Sequence, residues 1–323
     1  MYRKFVLIAL AVLAMTAVLS SCSGVDSYRG EKIAAIEAAI KVMPGVERVE
    51  VKNSDQDVFE LKFRLIVTMP QASEQQIADV AVRLNGARKE HVVEGDHSTT
   101  VHIGDRSAVG YYGTRLEPAL AVADARRLRA IQSALSTGTI GAGRTPDRDW
   151  LLRVEITSEE PAGHAVEAAR TGLGDEPAEL TIPAAGGTGP NWAIMFPYTA
   201  VQEQTVREKT DRLPPNVVFE IAVEGGALSK IWLVLPNTAT TEIDLRSVIT
   251  EIHPTTNHPL ALAWTDKTGV REKDAVAVYS EFHGLVIVGG CDYNAEGNGG
   301  KSPTPEADAL EMKLRKEFDT CPR

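Results

Sequence analysis

The chain has 323 residues and a formal net charge of −10, with 43% hydrophobic and 24% charged residues. This hydrophobic content is enough for a packed core, and the length predicts two or three domains or a chain of repeats. The acidic balance argues against a nucleic-acid-binding protein, and against docking of the body on anionic lipid headgroups.

The first 21 residues have the layout of an export signal. Arg3 and Lys4 give a positive start, an apolar or small-residue stretch runs from Phe5 to Leu19, and the first acidic residue is Asp26. Such a stretch is at the short end of what crosses about 30 Å of hydrocarbon as a helix. The segment therefore predicts export, with a retained membrane anchor as the alternative.

The end of this signal carries the residues Leu19-Ser20-Ser21-Cys22. They resemble the lipobox of bacterial lipoproteins, in which a peptidase cleaves before the cysteine and the cysteine sulfur carries a diacylglyceryl group. The resemblance implies a signal peptide over 1–21, a tether over 22–29 lipidated at Cys22, and a body held at the extracytoplasmic face of the cell membrane. The membrane is then a partner through this anchor. The alternative is an ordinary signal peptide in which Cys22 has no role.

The segment after the tether predicts a helix, two strands, a second helix and a third strand. Apolar residues recur at helical spacing in the first helix and alternate in the second strand. Ser73 stands three residues before Gln76, which is a capping-box arrangement. The predicted elements are a helix at Glu31–Met43, strands opening at Val46 and running over Val58–Met69, a helix at Ser73–Arg88 and a strand at Ser98–Ile103.

The same element order recurs twice further along the chain. In the second copy a helix at Leu116–Leu135 precedes strand Leu151–Thr157, and glycine- and proline-rich loops are predicted at 138–147 and 183–191. In the third copy, Thr241 precedes Glu242 and Asp244 in the first turn of a predicted helix. The predicted modules are 30–110, 111–198 and 199–323.

These observations predict an α+β fold of repeated α-β-β-α-β modules, ferredoxin-like or split β-α-β, with mixed or antiparallel sheets and helices on one face. The element order also resembles BON-type domains, which occur in exported bacterial proteins and are associated with envelope or phospholipid attachment. The glycine pattern of those domains is absent between the first two strands, where residues 53–57 read N-S-D-Q-D.

The C-terminal segment contains the other two cysteines, Cys291 and Cys321. An even pair in an oxidising compartment predicts a disulfide, and a pair of free thiols is the alternative. The stretch CDYNAEGNGGKSP between a strand at Leu285–Val288 and a helix at Pro305–Phe318 has partial phosphate-loop and calcium-loop spacing. Pro303 and Pro305 argue against the first, and Pro303 at the twelfth position argues against the second. We interpret the stretch as a linker.

Candidate metal ligands are few. His91, His97 and His102 lie within twelve residues and could serve zinc or copper. His97 and His102 differ by an odd number along a predicted strand, so their side chains are expected on opposite faces. The preferred interpretation is that no metal or other cofactor is bound.

Catalytic motifs are equally scarce. The sequence contains no G-x-S-x-G elbow and no H-E-x-x-H pair, and the glycine-rich run Gly138–Gly143 follows a helix rather than a strand. The four tryptophans are expected to pack in the core or at a groove edge. We therefore predict a non-catalytic envelope lipoprotein that binds or scaffolds a partner, such as an envelope protein or a lipid. The alternatives are a carrier for a lipid or small apolar ligand and an exported hydrolase.

Overall fold

The computed structural model describes residues 30–57, 60–93, 96–113, 115–148, 150–187, 189–213, 217–266, 283–290 and 304–319. The chain divides into two compact units. The first comprises Met1–Arg126 and Gly143–Asp149, and the second comprises Arg127–Ala142 and Trp150–Arg323. The division into modules at 30–110, 111–198 and 199–323 stays a prediction.

The first unit contains a four-stranded mixed sheet in chain order. β1 and β2 pair antiparallel, β2 and β3 pair parallel through the intervening helix, and β3 and β4 pair antiparallel. The elements are α1 (30–41), β1 (Arg48–Asp57), β2 (Glu60–Thr68), α2 (Glu74–Glu90), β3 (Asp96–Gly104) and β4 (Ser107–Tyr112). Helix α3 (Pro118–Ala134) and strand β5 (Thr139–Arg144) contribute residues to both units.

The second unit continues the pattern with seven strands, again in chain order. Parallel pairs β6/β7, β8/β9 and β10/β11 each enclose a helix, and the pairs between them are antiparallel. The elements are β6 (Leu152–Thr157), α4 (Ala162–Leu173), β7 (Ala178–Ile182), β8 (Asn191–Phe196), α5 (Ala200–Thr210), β9 (Val218–Glu224), β10 (Ala227–Val234), α6 (Thr241–Ile252), β11 (Leu260–Thr265), β12 (Gly284–Val288) and α7 (Pro305–Phe318).

The fold class is confirmed: the protein is α+β, with strands and helices alternating in repeated modules and mixed strand pairing. Alternate strand residues are buried, as the period-2 pattern requires. Val154, Leu180 and Ile194 are each at most 1% exposed and lie opposite one another in register. Glu155 and Thr181, which point to the other face, are exposed or half-buried.

Neighbouring helices of the second unit lie on one face of its sheet. Arg170 of α4 pairs with Glu203 of α5. At the other end of α5, Lys209 Nζ donates to the Ile252 carbonyl at 2.6 Å, and Arg212 pairs with Glu251 of α6 at 2.9 Å. These side-by-side contacts are impossible across the thickness of a sheet, so α4, α5 and α6 share a face.

This arrangement has a consequence for the handedness of the crossovers. Because β7/β8 and β9/β10 are antiparallel, the pair β8/β9 runs opposite to β6/β7 and β10/β11. Each new strand is added on the same side of the one before it, and the three helices lie on one face. The β8–α5–β9 crossover therefore has the opposite hand to the β6–α4–β7 and β10–α6–β11 crossovers. Parallel crossovers are right-handed in about 98% of cases, and at least one of these three is therefore left-handed.

Local signals explain several helix starts. Ser73 Oγ accepts from the Gln76 N–H at 3.3 Å and the Ser73 N–H donates to Gln76 Oε1 at 2.8 Å, which confirms the predicted capping box. Thr199 and Gln202 form a second capping box. Helix α6 begins at Thr241, but its N-cap is Thr240, whose side chain makes no capping bond.

One predicted loop is wrong. The stretch 138–147 contains strand β5 at Thr139–Arg144, whose two glycines disfavour a strand by intrinsic preference. Two further strands, β4 and β8, follow β3 and β7 as antiparallel partners. The predicted α-β-β-α-β order is present three times, as α1-β1-β2-α2-β3, α3-β5-β6-α4-β7 and α5-β9-β10-α6-β11, and each copy is followed by one more strand.

A buried ion pair lies in the first unit. Asp124 of α3 is fully buried and Arg144 of β5 is 4% exposed. The Arg144 guanidinium forms two hydrogen bonds to the Asp124 carboxylate, at 2.6 and 2.8 Å, and the Tyr111 hydroxyl donates to the same carboxylate at 3.1 Å. A bidentate contact of this kind fixes both the position and the orientation of the Arg144 guanidinium relative to the Asp124 carboxylate.

Candidate functional site

An open groove of about 390 Å³ lies in the second unit, at the edge where β6 and β7 end. These strands are parallel, so their carboxyl ends meet at one edge. The chain leaving β6 turns into α4, whereas the chain leaving β7 turns back into β8. The groove lies between these two connections. The lining residues are Thr137, Gly138, Thr157, Ser158, Glu159, Pro183, Ala184, Ala185 and Gly186.

Close backbone approach shapes one wall of the groove. Gly138 has φ +97°, a conformation that favours glycine, and a Cβ at this position would collide with the Thr157 carbonyl oxygen. The chain entering β5 therefore lies directly against the end of β6. Only glycine permits this contact.

The same wall is held by hydrogen bonds from Ser136 and Thr137 to the Glu160 carboxylate, a contact named here the Glu160 clamp. Glu160 Oε1 accepts from the Ser136 N–H at 3.0 Å, the Ser136 hydroxyl at 2.7 Å and the Thr137 N–H at 2.9 Å. These hydrogen bonds, from the Ser136 side chain and the Thr137 backbone first, lower the pKa of Glu160 from 4.5 to about 2. The carboxylate thus ties the loop before β5 to the loop after β6.

The opposite wall is the turn between β7 and β8. The Ala184 N–H donates to Asn191 Oδ1 at 2.8 Å, which closes the turn across its base. Gly186 in the same turn has φ +58°. Both walls are held by hydrogen bonds within the chain, so the groove has its shape before a ligand enters, and this lowers the ordering cost of binding.

Ser158 lines the groove, and Glu160 and His164 follow it along the chain, but the three do not form a catalytic triad. Ser158 Oγ accepts from the Glu160 N–H at 3.1 Å, and His164 Nδ1 lies 3.5 Å from Glu160 Oε2. No hydrogen bond joins Ser158 to His164 among those of the described residues, and the His164 side chain is 64% exposed. A nucleophile needs its base within hydrogen-bond reach. The lining hydroxyls and the Glu159 carboxylate suit hydrogen bonding to a polar ligand instead.

The three candidate metal ligands do not converge. His97 is buried, with Nε2 2.7 Å from the Val93 carbonyl oxygen and its ring edge-on to Phe63. His102 is half-buried on the other face of β3, as predicted, and His91 caps the C-terminus of α2. Across the described ranges no group of three or more His, Cys, Asp or Glu residues could hold a metal ion.

A void of about 10 Å³ in the first unit is lined by apolar residues that include Met69, Ile77 and Tyr111. Its volume is near the lower limit for one water molecule. Trp232 and Trp264 are 4% and 6% exposed and pack in the interior, as expected, whereas Trp150 is exposed, contrary to that expectation.

Several predicted features lie outside the described residues: the signal peptide and tether with Cys22, and both Cys291 and Cys321. Described residues close to the two cysteines in sequence do meet. The Gly289 N–H donates to Asp319 Oδ1 at 3.2 Å, two residues from each cysteine in sequence. No described helix combines the length and the hydropathy needed to cross a bilayer.

Sequence reasoning did not single out the groove. A signal was present, because the run Thr157-Ser158-Glu159-Glu160 is polar and directly follows an apolar strand. The opposite wall comes from a distant segment, so its place could not be inferred. Comparison with protein-family models, with curated proteins and with solved structures finds no match to this chain.

Proposed function

We propose that this protein is a membrane-anchored cell-envelope lipoprotein, lipidated at Cys22, with a non-catalytic binding or scaffolding role. The anchor rests on the N-terminal sequence, in which a positive start, an apolar stretch and Leu19-Ser20-Ser21-Cys22 occur in order. The binding role rests on the groove at the ends of β6 and β7, which the Glu160 clamp and the Asn191 bond hold open.

The binding role is favoured over both alternatives. A carrier of a lipid or apolar ligand needs an enclosed apolar cavity, whereas this groove is open and has Thr137, Ser158 and Glu159 in its lining. A serine hydrolase needs a serine–imidazole contact, and in the groove Ser158 Oγ accepts a hydrogen bond from the Glu160 N–H. The groove offers hydroxyls and a carboxylate at fixed positions, which is what selective binding of a polar group requires.

We further propose that Cys291 and Cys321 form a disulfide. Helix α7 packs on β12, where the Glu311 carboxylate accepts from the Ile287 N–H. The Gly289–Asp319 bond brings the end of β12 to the end of α7. Each cysteine follows this contact by two residues, a separation that two short extended segments can close.

The anchor is tested by labelling cells that express the chain with radioactive palmitate. The wild type is expected to carry label and to fractionate with membranes, and Cys22→Ala to lose both. Cys291→Ser is the control, since it removes a thiol but leaves the lipobox. Equal label on Cys22→Ala would overturn the anchor.

The binding role is tested by crosslinking pull-down from intact cells. Ala184→Trp places an indole in the groove, whereas Thr171→Trp adds the same bulk on the exposed face of α4. We expect the partners captured by the wild type to be retained by Thr171→Trp and lost with Ala184→Trp. Identical capture by the two variants would remove the groove from the proposal.

A further inference from the structure

The open face of the first unit presents a row of four side chains across its sheet. Lys52 of β1 lies opposite Arg64 of β2, Arg64 lies beside Ser98 of β3, and Ser98 lies opposite Tyr112 of β4. Their sequence neighbours Phe63, Thr99 and Tyr111 are at most 3% exposed, so the row points away from the core.

The row is polar and accessible. Lys52 and Arg64 are exposed, Ser98 is half-buried, and the Tyr112 ring is 46% exposed. The next row holds Glu50 opposite Ile66, and Thr100 beside Ile66. Neighbouring strands are about 4.8 Å apart, so the row is about 14 Å long.

The row carries two cations, and Glu50 lies two residues from Lys52 on the same face. On the same face Arg48 pairs with Glu50 at 3.0 Å, whereas Lys52 and Arg64 make no ion pair with any described residue. Like charges directly opposite on neighbouring strands destabilise a sheet. The whole chain has a net charge of −10, whereas this row carries two positive charges. An anionic partner would complement them.

Tyr112 adds a second recognition chemistry. An exposed aromatic ring at the end of a polar strand offers a flat apolar surface with a hydroxyl at its edge. The C–H faces of sugar rings stack on such surfaces, and sugar hydroxyls bond to side chains such as Ser98. An anionic lipid surface would engage the cations and the Tyr112 ring, whereas a polysaccharide also uses the Ser98 hydroxyl between them.

From this arrangement we propose that the open face of β1–β4 binds an anionic polysaccharide. The cations Lys52 and Arg64 contact its acidic groups, Ser98 hydrogen-bonds its hydroxyls, and Tyr112 stacks on a sugar ring. This site is in the first unit and is independent of the groove in the second.

The test measures binding of the full-length protein, purified in mild detergent, to polygalacturonate. We expect affinity to fall about tenfold or more in the double variant Lys52→Gln/Arg64→Gln and also in Tyr112→Ser. Tyr112→Phe keeps the ring and should bind like the wild type. The matched control Lys41→Gln/Lys89→Gln removes the same charge from exposed helical or turn positions and should also bind like the wild type.

Three further probes complete the design. Neutral dextran should bind weakly, because it lacks acidic groups, and polyglutamate should bind weakly, because it lacks sugar rings. Micelles doped with an anionic phospholipid should not compete with polygalacturonate. No binding of polygalacturonate by the wild type, equal binding of polyglutamate, or competition by the micelles would each overturn the proposal. The last outcome would assign the face to a membrane surface.

Discussion

At the scale of single residues, the Asp124–Arg144 pair shows how a buried charge is tolerated in this protein. Asp124 accepts hydrogen bonds from Arg144 and from the Tyr111 hydroxyl, so its carboxylate is satisfied without water. Desolvation costs a buried pair much of its attraction, but loss of one partner leaves an uncompensated charge. The pair therefore fixes α3 against β5 more than it adds net stability.

We predict that Asp124→Ala lowers the free energy of unfolding by about 3–5 kcal/mol. Urea denaturation followed by circular dichroism measures the change. Glu117→Ala breaks the exposed pair with Arg115 and should cost at most about 1 kcal/mol. The double variant Asp124→Leu/Arg144→Met should recover most of the loss; a double variant as unstable as Asp124→Ala would contradict the uncompensated-charge explanation.

The Glu160 clamp predicts a specific dependence on pH. The folded-state pKa of about 2 is below the ordinary 4.5, so the carboxylate stabilises the fold above about pH 4.5 and loses this contribution as pH falls toward 2. The stability difference between the wild type and Glu160→Gln should shrink over that window. His164 faces the other carboxylate oxygen, so the comparison is repeated in His164→Gln.

The control for this prediction is Glu167→Gln, an exposed position on α4. Its difference from the wild type should stay nearly constant between pH 6 and pH 2. A Glu160→Gln difference that is equally constant would show that the clamp does not form in solution.

At the scale of elements, the turn into β5 carries a sharp glycine requirement. We predict that Gly138→Ala costs about 1–3 kcal/mol, because alanine meets both a left-handed φ and the Thr157 carbonyl oxygen. Gly141→Ala, three residues along, has open space around its Cβ and no positive φ, and should be neutral or slightly stabilising. Thermal unfolding of the two variants measures the contrast, and similar losses in both would refute it.

The C-terminal strand and helix give a second prediction at this scale. If Cys291 and Cys321 are bonded, the disulfide closes a loop of about 30 residues and Cys321→Ser should cost about 3–4 kcal/mol. Mass spectrometry of the exported protein should show no alkylation of either thiol until a reductant is added. Alkylation of both without reductant would refute the disulfide.

The elements also show what sequence can and cannot supply. Helix α2 was predictable because the capping box at Ser73 and the buried stripe of Ile77, Val80 and Leu84 agree. Strand β5 was not, since Gly141 and Gly143 carry no strand signal and its place depends on pairing that the sequence does not reveal. The groove was missed for the same reason, because its two walls meet only in the folded sheet.

At the scale of the whole molecule, total charge is a poor guide to local surfaces. The net charge of −10 argues against anionic partners, yet Lys52 and Arg64 lie side by side on one open sheet face. Composition averages over all faces, whereas recognition depends on the few side chains that a single face presents. The strand register was needed to find this row.

The sequential order of strands affects how the chain can fold. In the second unit each strand pairs with the strand before it along the chain. Each strand can therefore pair as soon as it has been synthesised. Loops closed by such neighbouring pairs are short, and their entropic cost is low. If the chain leaves the cytoplasm N-terminus first, as the proposed export signal implies, the sheet can grow by one strand at a time at its free edge. Assembly during translocation would then leave little unpaired β-structure exposed to aggregation.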